Sequence, residues 1–305
     1  MPNIWTHILF CEELIQSLDP PEDFSDTQKH LNLGAQGPDP FFYHNFWPWK
    51  SNHSVNEVGQ VLHHEHCGPF LLDMIEAAKN KPAPTRAYVT GFVTHHILDR
   101  NTHPYIHYLA GYEKNNHQVL EVNIDTVMME RFKNLKTWKN PVSKQIDIGK
   151  HLETETVELL DTYILKYFPE THQSVPGTYI QEAYRDMKLA LRILFDPYGW
   201  KNKVLGSLVS PFSHRPLHDS KDYLNDKHGE WRHSATNDAS TKSFLDLYEE
   251  AKSEGHTILQ AVFNYWENPT PETKHHLENL LQNISYDTGK PLEDQAVNRY
   301  AEPIV

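Results

Sequence analysis

The sequence predicts an all-α fold. Apolar residues recur at helical spacing along most of the 305 residues, strand-like alternation is hard to find, and prolines punctuate the periodic segments. Segment 3–18 places Ile4, Ile8, Cys11, Leu14, Ile15 and Leu18 on one helical face, and Pro20-Pro21 stops it. Residues 34–53 carry three prolines and two glycines and are read as a loop, an unusually aromatic one from Phe41 to Trp49. Helices are expected over 69–80, over 85–102 between the breakers Pro84 and Pro104, and over 117–132. Beyond residue 140 the pattern continues over 153–167, 176–196, 241–264 and 271–284, with Ser240-Thr241 offering a cap. Segment 198–238, rich in Gly, Pro, Ser, His and Asp, reads as a surface excursion or a linker. One body over 1–305 is expected, with a metal-site half at 1–135 and a helical C-terminal half at 140–305.

Composition narrows the function classes. No run approaches the 18 or more apolar residues of a membrane span. The start, Met1 to His7, lacks the regions of a signal peptide, so the expectation is a cytoplasmic protein. Two cysteines, Cys11 and Cys67, give no disulfide framework and are expected as reduced thiols. A net charge of −13 argues against long polyanionic partners such as nucleic acid, but not against small phosphate esters. The outlying residue is histidine, with 21 copies where about six would be ordinary. Ten of them lie between His44 and His117, and neutral imidazole is the commonest metal ligand.

The ligand-type residues fall at telling intervals. His95, Asp99 and His103 are four apart in turn, which stacks them along one helix face. Pro104 disfavours helical geometry at His103, which would let His103 splay toward a second ion. His117, Glu121 and Asp125 repeat the four-residue step, and two such helices joined by 104–116 would oppose their ligand faces. Asp39 sits between Pro38 and Pro40 in a rigid turn. His63, His64 and His66 offer more donors than one site can use. His7 lies on the first helix between Trp5 and Ile8. Each feature alone has a plainer explanation, a hydrogen-bonded core pair, a turn acid or a solvated face. Together they point to buried metal chemistry, because an unpaired His–Asp stripe is costly to bury.

As a constellation these residues resemble the zinc-dependent phospholipase C family, and the related single-strand-specific zinc nucleases that share its all-α fold. The pattern is His95…Asp99…His103-Pro104 followed by His117…Glu121, with Asp39, His63 and His7 upstream and Asp125 trailing. The resemblance implies two or three zinc ions. Asp39, His63, His95 and Asp99 would hold the first, and His103, His117 and Glu121 the second. His7 would hold a third with Asp99 as the bridge, completed by the chain terminus if Met1 is removed and Pro2 begins the chain. His107 competes with His103, and His64 and His66 with His63. The implied activity is phosphodiester hydrolysis by a metal-bound hydroxide, with Asp39 as general base and Asp125 orienting a ligand imidazole. The expected partner is a small phosphodiester or phospholipid head group. The aromatic stretch 41–49 would wall the pocket, suited to a quaternary ammonium group or a stacked base. A nuclease or nucleotide-directed phosphoesterase on the same fold and a non-catalytic metal-binding protein are the alternatives. A phosphohydrolase with an adjacent His-Asp pair is not, because Ile97 follows His96.

Overall fold

A computed structural model describes residues 3–47, 49–50, 53–113 and 115–305. Twelve α-helices make up nearly all the regular structure among them. They are α1 (Ile4–Gln16), α2 (Gln28–Gly34), α3 (His53–His64), α4 (Cys67–Ala78), α5 (Ala83–Ala110) and α6 (Asn116–Lys133). They continue with α7 (Thr154–Tyr167), α8 (Pro169–Gln173), α9 (Tyr179–Leu194), α10 (Trp200–Leu205), α11 (Phe244–Glu267) and α12 (Pro271–Leu281). A two-residue antiparallel pair, β1 (Trp231–Arg232) and β2 (Ala239–Ser240), is the only sheet among the described residues. The fold is all-α.

Local chemistry sets the helix ends. Asn3 caps α1 by accepting from the Ile4 amide at 2.8 Å. Ser243 and Asp246 form a reciprocal capping box on α11, three residues beyond the expected start. Thr270 caps α12 with Pro271 in its first turn.

The long helix α5 lies at the centre and packs against α1, α2, α4, α6 and α11. It is buried nearly all round, as a central helix must be. Burying Phe92, Ile97 and Leu98 contributes about 1.5–3 kcal/mol each, which offsets the cost of enclosing polar groups on the same helix. One hydrophobic cluster runs from Ile4 to Leu281 and draws on both halves of the chain.

Three departures from the sequence expectations matter. First, α5 does not stop at Thr102. It runs through Pro104 to Ala110, and His103 stays in the helical row rather than splaying away. Packing on every side outweighs the local preference of the residue before proline. Second, α2 and α3 lie in stretches where no helix was expected, and Asp39–Tyr43 forms a 3-10 turn inside the supposed loop. Third, segment 198–238 folds back onto the core, with Val209, Tyr223, Leu224 and Trp231 buried. Tyr105 Oη donates to the Tyr223 carbonyl at 2.8 Å. Cys11 and Cys67 are free, buried thiols. No helix among the described residues is long and apolar enough to cross a membrane.

Candidate metal centre

The α5 row brings His95, Asp99 and His103 together, and three other elements reach it. His7 comes from α1, Asp39 from the 3-10 turn, and His63 from the last turn of α3. Gly37 makes the Asp39 approach possible. Its φ of +51° is the left-handed region, and a Cβ there would lie 2.3 Å from the His95 ring. His7 stacks on His95 with ring centroids 4.2 Å apart.

The distances have the spacing of ligands round a shared cation. Two atoms bound to one tetrahedral zinc at about 2.0–2.1 Å lie about 3.4 Å apart. Here Asp99 Oδ1 is 3.3 Å from His7 Nε2 and 3.6 Å from His103 Nε2, and Asp99 Oδ2 is 3.0 Å from His95 Nε2. Asp39 Oδ1 is 3.6 Å from His63 Nε2 and 3.9 Å from His95 Nε2. Yet Nε2 of His7, His95 and His103, both Asp99 oxygens and Asp39 Oδ1 are buried without a hydrogen-bond partner. Orphaned groups of this kind are costly in a protein interior. Nitrogen and oxygen donors converging at this spacing fit a divalent cation.

Backbone carbonyls fix the other face of three of these rings. His95 Nδ1 lies 3.0 Å from the Ala35 carbonyl, His63 Nδ1 2.6 Å from that of Gly59, and His103 Nδ1 2.9 Å from that of Tyr286. Donation from Nδ1 leaves Nε2 as the lone-pair nitrogen. Across the 111–115 link, α6 adds His117 and Glu121, 2.6 Å apart, which form a ligand-type group with His103. His7, His95 and Asp99 form another such group, and Asp39, His63 and His95 a third.

The competing histidines separate clearly. His63 is buried in the cluster, whereas His64 is half-exposed and meets Asp287 at 3.1 Å. His66 turns toward Tyr167 and Phe168. His96 bonds the Ile284 carbonyl and belongs to none of the ligand-type groups. His107 lies beside His103 and His117 and groups with His103 and Asp287. Asp287 had no place in the sequence reading. Pro2, the expected terminal ligand if Met1 is removed, lies with Met1 outside the described residues.

Asp125 differs from its expected role. It accepts from the Trp5 amide at 3.0 Å, and from the Thr6 amide and hydroxyl at 2.9 and 2.6 Å, anchoring the first turn of α1. The imidazole it holds is His214, at 3.0 Å, which belongs to none of the ligand-type groups. Asp125→Ala is therefore expected to destabilise the protein by at least about 3 kcal/mol in a denaturant titration, because several bonds to a buried charge vanish together. A change below about 0.5 kcal/mol would contradict that anchoring role.

Electrostatics suit cation binding. Burial pushes the His7 and His63 imidazoles down to about 3, so both are neutral near pH 7. Burial also lowers His117 well below its ordinary value. Asp39 is pushed up to about 7 by burial, with the Asp99 charge adding to it. Burial works to lower His95, but the charges of Asp99 and Asp39 outweigh it and His95 is raised. Without a cation, Asp39 and His95 therefore keep their protons to higher pH than they ordinarily would, and metal uptake must expel them. Calorimetry in buffers of different ionisation enthalpy should find more protons released per ion at about pH 6 than at about pH 8, with weaker affinity at the lower pH. Equal release at both would contradict the arrangement.

A cavity of about 530 Å³ opens onto the cluster. Asp39, His63, His103, His117, Glu121 and Asp287 are among the residues that line it. Ala190, Leu191, Leu194, Phe195, Leu208 and Phe212 form an apolar wall, and no Lys or Arg lines it among the described residues. Of the aromatic stretch, Phe42, Tyr43 and Phe46 face the cavity. Phe41 instead joins the core on Tyr179, and Trp47 stacks between Phe46 and the exposed Trp49. Pro48 lies outside the described residues.

Comparison with known proteins accords with this geometry. No curated protein and no solved structure matches the chain. Residues 6–176, more than half of the chain and containing every ligand-type group except Asp287, match the zinc dependent phospholipase C family. The chain belongs to that zinc-dependent family.

Proposed function

We propose that this protein is a zinc-dependent phosphodiester hydrolase acting on phospholipid head-group diesters. One observation carries the reading: a single cavity lined both by imidazoles and carboxylates of the ligand-type groups and by apolar side chains of α9 and of Leu208 and Phe212. A phosphodiester with an apolar leaving group needs both surfaces.

Asp39, His63, His95 and Asp99 would hold a first ion, His103, His117 and Glu121 a second, and His7 with Asp99 a third. Zinc held there would polarise phosphoryl oxygens and bring the pKa of a bound water down to about 7. Asp39 lines the cavity and is the carboxylate suited to accept the proton of an attacking water. The water oxygen adds to phosphorus as the bond to the leaving oxygen breaks, and the departing alkoxide takes up the proton that Asp39 accepted. The carbonyl-fixed rings of His63, His95 and His103 hold their Nε2 tips still, so little reorganisation is needed. With no Arg or Lys in the lining, the substrate anion is neutralised at the cluster alone.

A specific observation favours lipid over nucleic acid. Tyr198, Trp200, Val204, Leu205, Leu208 and Phe212 are six of the thirteen large exposed apolar side chains among the described residues. Leu208 and Phe212 also line the cavity, so part of this exposed apolar segment adjoins it. Exposed apolar patches of this kind mark interaction sites, and a net charge of −13 repels a polyanionic strand.

Zinc-loaded protein should release phosphocholine from phosphatidylcholine vesicles, hydrolyse bis(p-nitrophenyl) phosphate more slowly, and leave single-stranded DNA largely intact. Faster cleavage of DNA would move the assignment to the nuclease branch. No turnover of any diester at full zinc occupancy would leave a metal-binding protein without catalysis.

A further inference from the structure

The C-terminal turn 284–291 is built into the centre, although it lies beyond the family-matched residues. It is closed by the Ile284–Pro291 bridge and by the Ser285 amide donating to the Lys290 carbonyl at 2.9 Å. α5 grips it through two histidines, His96 at the Ile284 carbonyl and His103 at the Tyr286 carbonyl. The Tyr286 amide donates to the His63 carbonyl at 3.3 Å. Gly289, with φ of +59°, fits where a Cβ would sit 2.1 Å from the Arg100 carbonyl oxygen. That carbonyl has no helical partner, because its partner position is Pro104, which carries no N–H. The proline inside α5 thus marks the surface against which the turn docks.

The docked turn delivers one carboxylate. Asp287 Oδ1 lies 3.7 Å from His107 Nε2 and 3.3 Å from His103 Nδ1, and Oδ2 lies 3.1 Å from His64 Nδ1. His103 Nδ1 is already used at the Tyr286 carbonyl. His107 Nε2 is buried and has no hydrogen-bond partner. A hydrogen bond would bring it to about 2.9 Å of its acceptor. The observed gap is instead close to the separation of two ligands on one zinc. The His107 ring is 4.8 Å from that of His117, at the second-ion end of the cluster.

We propose that Asp287, paired with His107, belongs to the coordination set of the second cation, so that the C-terminal segment completes the metal centre. This rests on the reading of the cluster as a zinc site. The test compares wild type, Asp287→Asn and His107→Gln, each stripped and reloaded, by zinc content, chelator competition and the visible spectrum of the cobalt-substituted protein. Asn keeps the size of the side chain and an acceptor for His64, so only the ligand charge is lost. Both variants should bind one ion at least about 10-fold more weakly, with a changed cobalt spectrum and the other ions retained. Unaltered affinity and spectrum in both would overturn the proposal while leaving the family-type cluster intact. A wild type that binds no zinc would instead remove the reading beneath it. Should Asp287→Asn fail to fold, the His107→Gln spectrum alone decides, because the turn is docked there as in wild type.

Discussion

Asp99→Asn is expected to strip zinc from the centre and slow diester hydrolysis by more than about 100-fold, with the helical fold retained. Asp99 is fully buried, and its two oxygens face three imidazoles from two helices at 3.0–3.6 Å. Burial favours its neutral form, but the surrounding His103, His95 and His7 hold its carboxyl well below the usual range. Its carboxyl therefore stays ionised to lower pH than an ordinary carboxylate does. Loss of an outer partner of a metal ligand costs about 10–100-fold, and a bridging ligand should cost more. Asparagine keeps the volume, so far-ultraviolet circular dichroism should be unchanged while metal analysis shows at least one ion lost. Full zinc content and activity would remove Asp99 from the centre.

Chelation is expected to lower Tm on the order of 10 °C, reversed by adding zinc. Asp39, Glu121 and Asp287 line one cavity and Asp99 is buried beside it, so carboxylates crowd together with orphaned imidazole nitrogens among them. A cation relieves both the repulsion and the missing bonds. At free zinc about 1,000 times Kd the added stability is about 4 kcal/mol. Differential scanning calorimetry with and without chelator measures it directly. A Tm unmoved by chelator would mean the cluster is stable as a hydrogen-bonded network alone.

Most helices were legible in the sequence from recurring apolar residues and bounding breakers. α1, α4, α6, α7, α9, α11 and α12 fall within about three residues of their expected limits at each end, as reading from pattern allows. α2 escaped because seven residues carrying Lys29, His30 and Asn32 offer almost no apolar period. α3 escaped although Val55, Val58 and Leu62 follow helical spacing, because these few apolar positions are outnumbered by polar ones. Its helical phase holds the choice among three histidines. His63 follows Gly59 and Val55 on the buried face, and His64 falls beside it.

The His95–Asp99 and His117–Glu121 pairs were legible for a local reason, the four-residue step of one helix. His7, Asp39 and His63 needed the family resemblance, since no spacing rule links separate elements. Asp287 had neither. Its approach to His107 depends on a turn docked 180 residues downstream, and a Tyr-Asp-Thr-Gly stretch has no periodicity to read. The one sequence trace is Pro104, which looked like a helix stop and instead leaves a carbonyl facing that turn.

The central claim is that cations sit between these side chains. Anomalous diffraction at the zinc edge from zinc-loaded crystals tests it most directly. The account predicts a peak within about 2.0–2.2 Å of Asp39, His63, His95 and Asp99, and a second beside His117 and Glu121. Fully loaded crystals with no peak between Asp99 and His95, and zinc only on the outer surface, would contradict it.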